Sequence, residues 1–466
     1  MNRSNSLDAL RGFAILAMVL SSSIAFGILP GWMYHAQTPP PSNSYNPEIP
    51  GITWVDLVFP FFLFSMGAAF PLALQRKVKE GAPAFAIFSQ ILQRYLLLTF
   101  FAIFTVHARA WVMSQTPGAL EQLLSIGCFV LLCLMYTRWK EGSSKQLAAG
   151  VKVLAYALAI ALLALLPFAS GKGFSLDRSD VIIIVLGNMA FFGSLIWWAT
   201  WDRPWLRIGI LPFVMAVFLT GKLPDTWNNL VFNWSPVPWM YKFYYLKYLF
   251  IIIPGTFAGE WLLTRMKAKE EAPAAAGSTK WLIVALICVA LCVVNLVGLY
   301  TRALNGNLLA SFALCVPLLL LVRKMEANSD TAYFSRLLQA GIYLLLLGLF
   351  FEAWEGGIKK DPSTYSYYFV TSGLAFLVLL AFSILERYGY LKQLIHFLAL
   401  NGKNPMVAYT AGNLLLLPVL KLTGVIAWYG KLQESVWGGY VSGILFTGVV
   451  SLITIFFVKR KWFWKT

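Results

Sequence analysis

The sequence predicts an all-α fold, a polytopic membrane helix bundle. Of its 466 residues, 59% are hydrophobic and only 12% charged, and the mean hydropathy is +0.69, more apolar surface than a soluble core can bury. The apolar residues gather in repeated runs close to the roughly 20 residues needed to cross ~30 Å of hydrocarbon, parted by short polar breaks. A bilayer core offers the backbone no water, so such runs are read as helices that satisfy their own hydrogen bonds. They give about fourteen spans, an even number in the range of roughly ten to fourteen.

In order, the first span is placed near 13–33, after the polar entry Leu7-Asp8-Ala9-Leu10-Arg11-Gly12. The second, 53–75, opens at Thr53-Trp54-Val55-Asp56 and closes on Arg76-Lys77-Val78-Lys79. Spans near 90–106, 119–137 and 147–168 follow, the middle one between Pro117-Gly118 and Arg138-Trp139-Lys140. Next come 181–199, which carries Trp197-Trp198, the short 206–220, and 243–263, closed by Arg265-Met266-Lys267-Ala268-Lys269. The last six are 281–300, 308–322 before Arg323-Lys324, 337–353, 370–386, 405–421 opening at Pro405, and 440–458 before Lys459-Arg460-Lys461. The basic clusters fall on one side of the alternation, which the positive-inside bias makes the cytoplasm, so both termini are expected inside.

The net charge of +17 is spread over short loops of one face and not gathered in a stripe, so it is read as anchoring to anionic lipid and not as a nucleic-acid surface. The 18 Trp and 20 Tyr suit interfacial belts. Cys128, Cys133, Cys288, Cys292 and Cys315 all fall inside expected spans and are small buried apolar residues, not a disulfide framework. No small-residue cleavage site follows the first span, so that span is expected to stay in the mature chain. Residues 1–466 are read as a single membrane domain with a flexible cytoplasmic linker near 266–280, around Glu270-Glu271-Ala272-Pro273, that parts the bundle in two.

Two ionisable residues stand out chemically. His35 sits in a Pro-rich loop after the first span, and Asp56 lies a few residues into the next, where an unpaired carboxylate would cost several kcal/mol. Imidazole is the side chain best suited to accept a proton near neutral pH, and His35 is read as the base of a direct transfer or as a nucleophile acetylated in a two-step one. Asp56 is expected to meet His35 or Lys360, or to serve as a first-turn helix contact favoured by the dipole. Lys360, Ser366 and Tyr367 lie on the same outer face as His35, in a loop able to fold over it, and the mix of polar and aromatic groups suits a sugar. Asn404 and Asn413 offer amides to a carbonyl or hydroxyl, although Asn404 before Pro405 also fits a helix cap. His107 and His396 are read as interfacial. With no His/Asp/Glu cluster at ligand spacing, no metal is expected.

At Leu7-Asp8-Ala9-Leu10-Arg11-Gly12, His35 and Trp54-Val55-Asp56, the chain resembles the heparan-alpha-glucosaminide N-acetyltransferase family and its bacterial relatives. Further islands follow in the same order: Pro117-Gly118-Ala119-Leu120, Pro254-Gly255-Thr256-Phe257-Ala258-Gly259, the set Lys360, Ser366, Tyr367 and Thr371, Gly402-Lys403-Asn404-Pro405, and Phe463-Trp464-Lys465. The resemblance implies an enzyme of the bacterial inner membrane that passes acetyl from cytosolic acetyl-CoA to an amino sugar or glycan outside, with His35 as the catalytic residue. Arg11 and Arg94, near the cytoplasmic end, would then receive the CoA phosphates, for which guanidinium forks are suited; a helix-start ion pair of Arg11 with Asp8 is the plain alternative. The chain departs from the family at Ser22, at Glu121-Gln122, and in the insertion Thr38-Pro39-Pro40-Pro41-Ser42. Expected partners are acetyl-CoA, the acceptor and the bilayer; whether a second copy joins as a homodimer is left open by the sequence. The reading from another class is a transporter in which Asp56, Glu121, Glu260 and Glu352 are intramembrane sites.

Overall fold

The computed structural model describes residues 4–138, 144–169, 171, 173–268, 278–326 and 328–466. Among these every regular element is helical. Thirteen helices are long and apolar enough to cross a membrane, and Pro204–Thr220 is a shorter apolar one, the same segment the hydropathy pattern gave as a short span. The expected linker falls mostly on 269–277, outside the described residues.

The main helices are α1 Asn5–Ser23, α2 Trp54–Lys79, α3 Ala84–His107, α4 Ala119–Tyr136, α5 Lys145–Leu165, α6 Val181–Ala199 and α7 Pro204–Thr220. They continue with α8 Leu249–Lys267, α9 Ser278–Tyr300, α10 Leu304–Arg323, α11 Ser329–Phe350, α12 Tyr365–Tyr388 and α13 Lys392–Gly402. The last two are α14 Pro405–Leu422, which contains a π-helical turn at Gly412–Leu416, and α15 Val436–Lys459.

The first helix corrects the expected span at 13–33. It begins at Asn5 because the Ser4 side chain accepts from Leu7 N (3.4 Å) and the Glu386 carboxylate accepts from Asn5 N (3.2 Å) and Ser6 N (2.8 Å), which takes up donors a helix start leaves bare. Its early charges then come inside the helix as a pair, with Arg11 Nη1 3.2 Å from Asp8 Oδ1. The helix ends at Ser23, so residues 24–53 form a long loop with one 3-10 turn at Gly31–Met33, and His35 belongs to that loop. Helix α13, absent from the expected spans, is an 11-residue segment whose charged and amide residues held its hydropathy down.

The chain divides into two compact units interleaved along the sequence. The first comprises 1–82, 196–208 and 248–402, and the second 83–195, 209–247 and 403–466. In the first, α2 packs on α8, α1 on α2 and α13, and α12 on α9 and α11. The α2–α8 contact is a backbone-to-backbone crossing: a Cβ at Gly67 would collide with the Ile252 carbonyl, and Cβ atoms at Gly255 and Gly259 with those of Phe64 and Ala68. With no hydrophobic drive between helices in lipid, such close approach supplies the packing energy.

In the second unit, α14 packs against α15 and α4, and α4 on α5. The C-terminal tail closes this unit: Arg138 N donates to Phe463 O (2.9 Å) and Lys465 N to Tyr136 O (2.9 Å).

Candidate active site

The site lies wholly in the first unit and grows from the start of α2. Thr53 is the N-cap: its Oγ1 accepts from Val55 N (3.3 Å) and donates to Tyr34 O (2.6 Å), tying the helix start to the loop that carries His35. Asp56, three residues on, completes a capping box, with Thr53 N donating to Oδ2 at 2.9 Å. Ala36 N also reaches Oδ2 (3.2 Å). One carboxylate oxygen is thereby fixed by backbone, and the other, Oδ1, stands 2.6 Å from His35 Nδ1. The structure thus joins the two contacts weighed for Asp56 in one side chain. Asp56 is 1% exposed, so this carboxylate sits in a low-dielectric setting in which a hydrogen-bonded imidazole partner is worth most.

A carboxylate facing Nδ1 selects the tautomer with hydrogen on Nδ1 and leaves Nε2 as a lone-pair acceptor. The His35 side chain keeps 39% of its surface open. Lys360 arrives from the loop between α11 and α12, its Nζ 3.1 and 3.2 Å from the two ring nitrogens. Burial pushes the Lys360 ammonium below the usual lysine value, while the carboxylates of Asp56 and Asp361 pull it back upward.

Several groups hold this loop. Glu352 Oε2 accepts from Ile358 N (2.6 Å), and its other oxygen pairs with Arg302. Gln37 bridges the two loops: its Oε1 accepts from Asp361 N (2.9 Å) and its Nε2 donates to Asp361 O (2.5 Å). The rest of the loop before α2 joins in, with Tyr45 Oη donating to Asp361 O (2.5 Å) and Gly51 N to Ile358 O (2.7 Å). Tyr367 Oη donates to Asp56 O (2.8 Å) and braces the carboxylate's own backbone. Ser366, 1% exposed, donates to Gly348 O (2.8 Å) and so ties α12 to α11.

His35, Asp56, Lys360 and Tyr367 are therefore brought together, with Ser366 one helix contact away. Arg11 lies elsewhere in the same unit, its guanidinium 3.5 Å from Gly402 O and 3.4 Å from Ser65 O. The other three expected residues belong to the second unit. Arg94 is half-buried on α3. Asn404 is fully buried, its Nδ2 donating to Trp462 O (2.9 Å) and its Oδ1 accepting from Trp464 N (3.1 Å), so its amide is engaged at both ends by the C-terminal tail. Asn413 is half-buried in the π-helical turn.

The remaining ionisable candidates have structural partners or open surroundings. Glu260 meets the fully buried Arg207 (2.8 Å) and accepts from Trp197 Nε1 (2.7 Å). Half-buried Glu121 accepts from Gly118 N (2.7 Å) and caps α4. His396 is exposed and lines a cavity of about 680 Å³ with Asn5, Arg387 and Lys392. His107, expected at an interface, is 1% exposed, because Phe168 and Phe174 close over its ring at 4.9 and 5.1 Å.

Sequence reasoning missed Thr53, Gln37 and Asp361. The Thr-x-x-Asp spacing of Thr53 and Asp56 is a readable capping signature. Gln37 and Asp361 carry no such signal, since they are 324 positions apart.

The family described as "Domain of unknown function (DUF5009)" matches residues 3–262. Heparan-alpha-glucosaminide N-acetyltransferase of Mus musculus is 28% identical over 145 residues, 30% of this chain and 20% of that protein. The Homo sapiens protein of the same name is 30% identical over 128 residues, 26% of this chain and 17% of that protein. The aligned part spans about a fifth of the length of these curated relatives.

Proposed function

From the premise that this chain belongs to the DUF5009 family, whose match covers 3–262, we propose that it is a membrane acetyltransferase. It takes acetyl from acetyl-CoA and delivers it to an amino sugar or glycan across a bacterial inner membrane. The observation that carries this reading is the buried Asp56 carboxylate on His35 Nδ1 at 2.6 Å, which directs the ring's remaining lone pair to Nε2, beside Lys360 Nζ, as the base. The names of the mammalian relatives, both N-acetyltransferases of a glucosaminide, agree with that chemistry.

The acceptor amine attacks the thioester carbonyl; the new C–N bond forms as the C–S bond breaks. Nε2 of His35 takes the proton the amine sheds and returns it to the departing CoA sulfur. Asp56 holds the ring in place and offsets the charge of the transient imidazolium, the part a buried carboxylate plays in such pairs. The Lys360 ammonium, beside the same ring, faces the oxyanion that develops on the carbonyl. Arg11 touches Ser65, nine residues along α2 from Asp56, about 13 Å at 1.5 Å per residue. That separation suits a guanidinium facing the extended arm or phosphates of a donor whose thioester sits at His35.

The test is purified protein in liposomes with acetyl-CoA and glucosamine, reading free CoA and N-acetylglucosamine. Both products are expected from the native protein and not from His35→Ala. Undiminished transfer by that variant, or solute flux without any CoA release, overturns the proposal.

A further inference from the structure

Lys360 is placed closer to the base than a group meant only to balance charge needs to be. Its Nζ lies 3.2 Å from His35 Nε2, the nitrogen at which an acceptor amine must surrender its proton, and 3.1 Å from Nδ1. A general base takes a proton from a group about 2.6–3.2 Å away. Nζ already stands where an amine that attacks a thioester and sheds its proton to Nε2 must stand.

The surrounding contacts keep Lys360 there. Its loop is fixed on one side by Gln37 on Asp361 (2.9 Å) and on the other by Lys359 N donating to Thr364 Oγ1 (3.0 Å). Partial burial lowers the cost of the neutral amine, against the pull of Asp56 and Asp361.

We propose that Lys360 is an internal acetyl acceptor: without an external amine, the site acetylates its own lysine and thereby silences itself. This rests on the acetyltransferase reading above and adds a modification site to it. One ammonium proton leaves to solvent. The neutral Nζ attacks the thioester carbonyl, the C–N bond forms, the C–S bond breaks, and the proton shed on attack passes through His35 to the CoA sulfur. The products are the lysine acetamide and free CoA. The acetamide carries no charge, so the oxyanion loses the cation that faced it.

The experiment incubates purified protein with acetyl-CoA alone and follows the peptide carrying Lys360 by mass spectrometry alongside transfer to glucosamine. Expected is one acetyl on Lys360, stable to hydroxylamine as an amide is and an acyl-imidazole is not. Transfer activity should fall as the label rises, by about 10²-fold at full labelling, the scale of losing one oxyanion donor. Glucosamine present from the start should protect, and Lys360→Arg should take no label and hold whatever activity it begins with. CoA release and glucosamine acetylation with Lys360 unmodified after prolonged incubation would overturn this inference and leave the acetyltransferase reading standing. Neither CoA release nor label would overturn both.

Discussion

His35 and His107 belong to different units, and each has an oxygen at hydrogen-bonding distance from Nδ1. For His35 that oxygen is the Asp56 carboxylate at 2.6 Å; for His107 it is the carbonyl of Ile103, one turn back in its own helix, at 2.9 Å. Both contacts fix a tautomer, but only the carboxylate stabilises an imidazolium once the ring has taken a proton. The free nitrogens differ as much. His35 Nε2 opens beside Lys360 on a ring that is 39% exposed, whereas His107 Nε2 is buried under two phenyl rings with no hydrogen-bond partner among the described residues. A histidine becomes a candidate base through a charged partner on one nitrogen and access at the other, not through its position at a helix end.

The sharpest break of this comparison is substitution of each ring. His35→Ala should lower acetyl transfer by about 10³-fold or more, at the upper part of the range for removing a general base. His107→Leu, which removes a buried polar atom without a partner, should leave transfer within about threefold and thermal stability nearly unchanged. Comparable losses from the two variants would show that the carboxylate does not distinguish the rings.

Asp56→Asn comes next and tests the partner directly. The amide retains the capping contacts but supplies no charge and favours the wrong tautomer, so kcat should fall about 10²-fold or more with little change in KM. The control is the capping variant Thr53→Ser, which keeps the hydroxyl at the helix start and should leave kcat within about threefold of the native value. A rise in KM with kcat unchanged would assign Asp56 to the helix start and not to the imidazole.

How much of this was legible before the structure follows from the range of each interaction. Helix length and apolarity are local properties, so most spans were placed within a few residues. The errors arose where polar groups are answered from far away, as at Asn5 and Ser6, whose amides meet Glu386, 380 positions or more along the chain. An ionisable residue entering an apolar run is also a local signal, and it singled out Asp56 and, through the loop before it, His35. The brace from Tyr367 to the Asp56 carbonyl spans 311 positions and leaves no periodicity to read. Asn404 shows the converse: its Asn-Pro step looks like a cap, yet its side chain is claimed by the C-terminal tail.

The smallest expected effect concerns the bridge between the two loops. Gln37 touches neither imidazole nor carboxylate; it holds Asp361, and through it the neighbouring Lys360, against the His35 loop. Gln37→Ala removes those contacts and should cost about 1–3 kcal/mol of local order at most, since buried amide groups are left to find other partners. Transfer should therefore drop by about threefold to tenfold, less than for either member of the dyad, and self-acetylation of Lys360 should slow with it because both depend on the same loop geometry. The coupled change separates positioning from chemistry: a loss in transfer with faster labelling of Lys360 would mean that Gln37 restrains the lysine and does not place it.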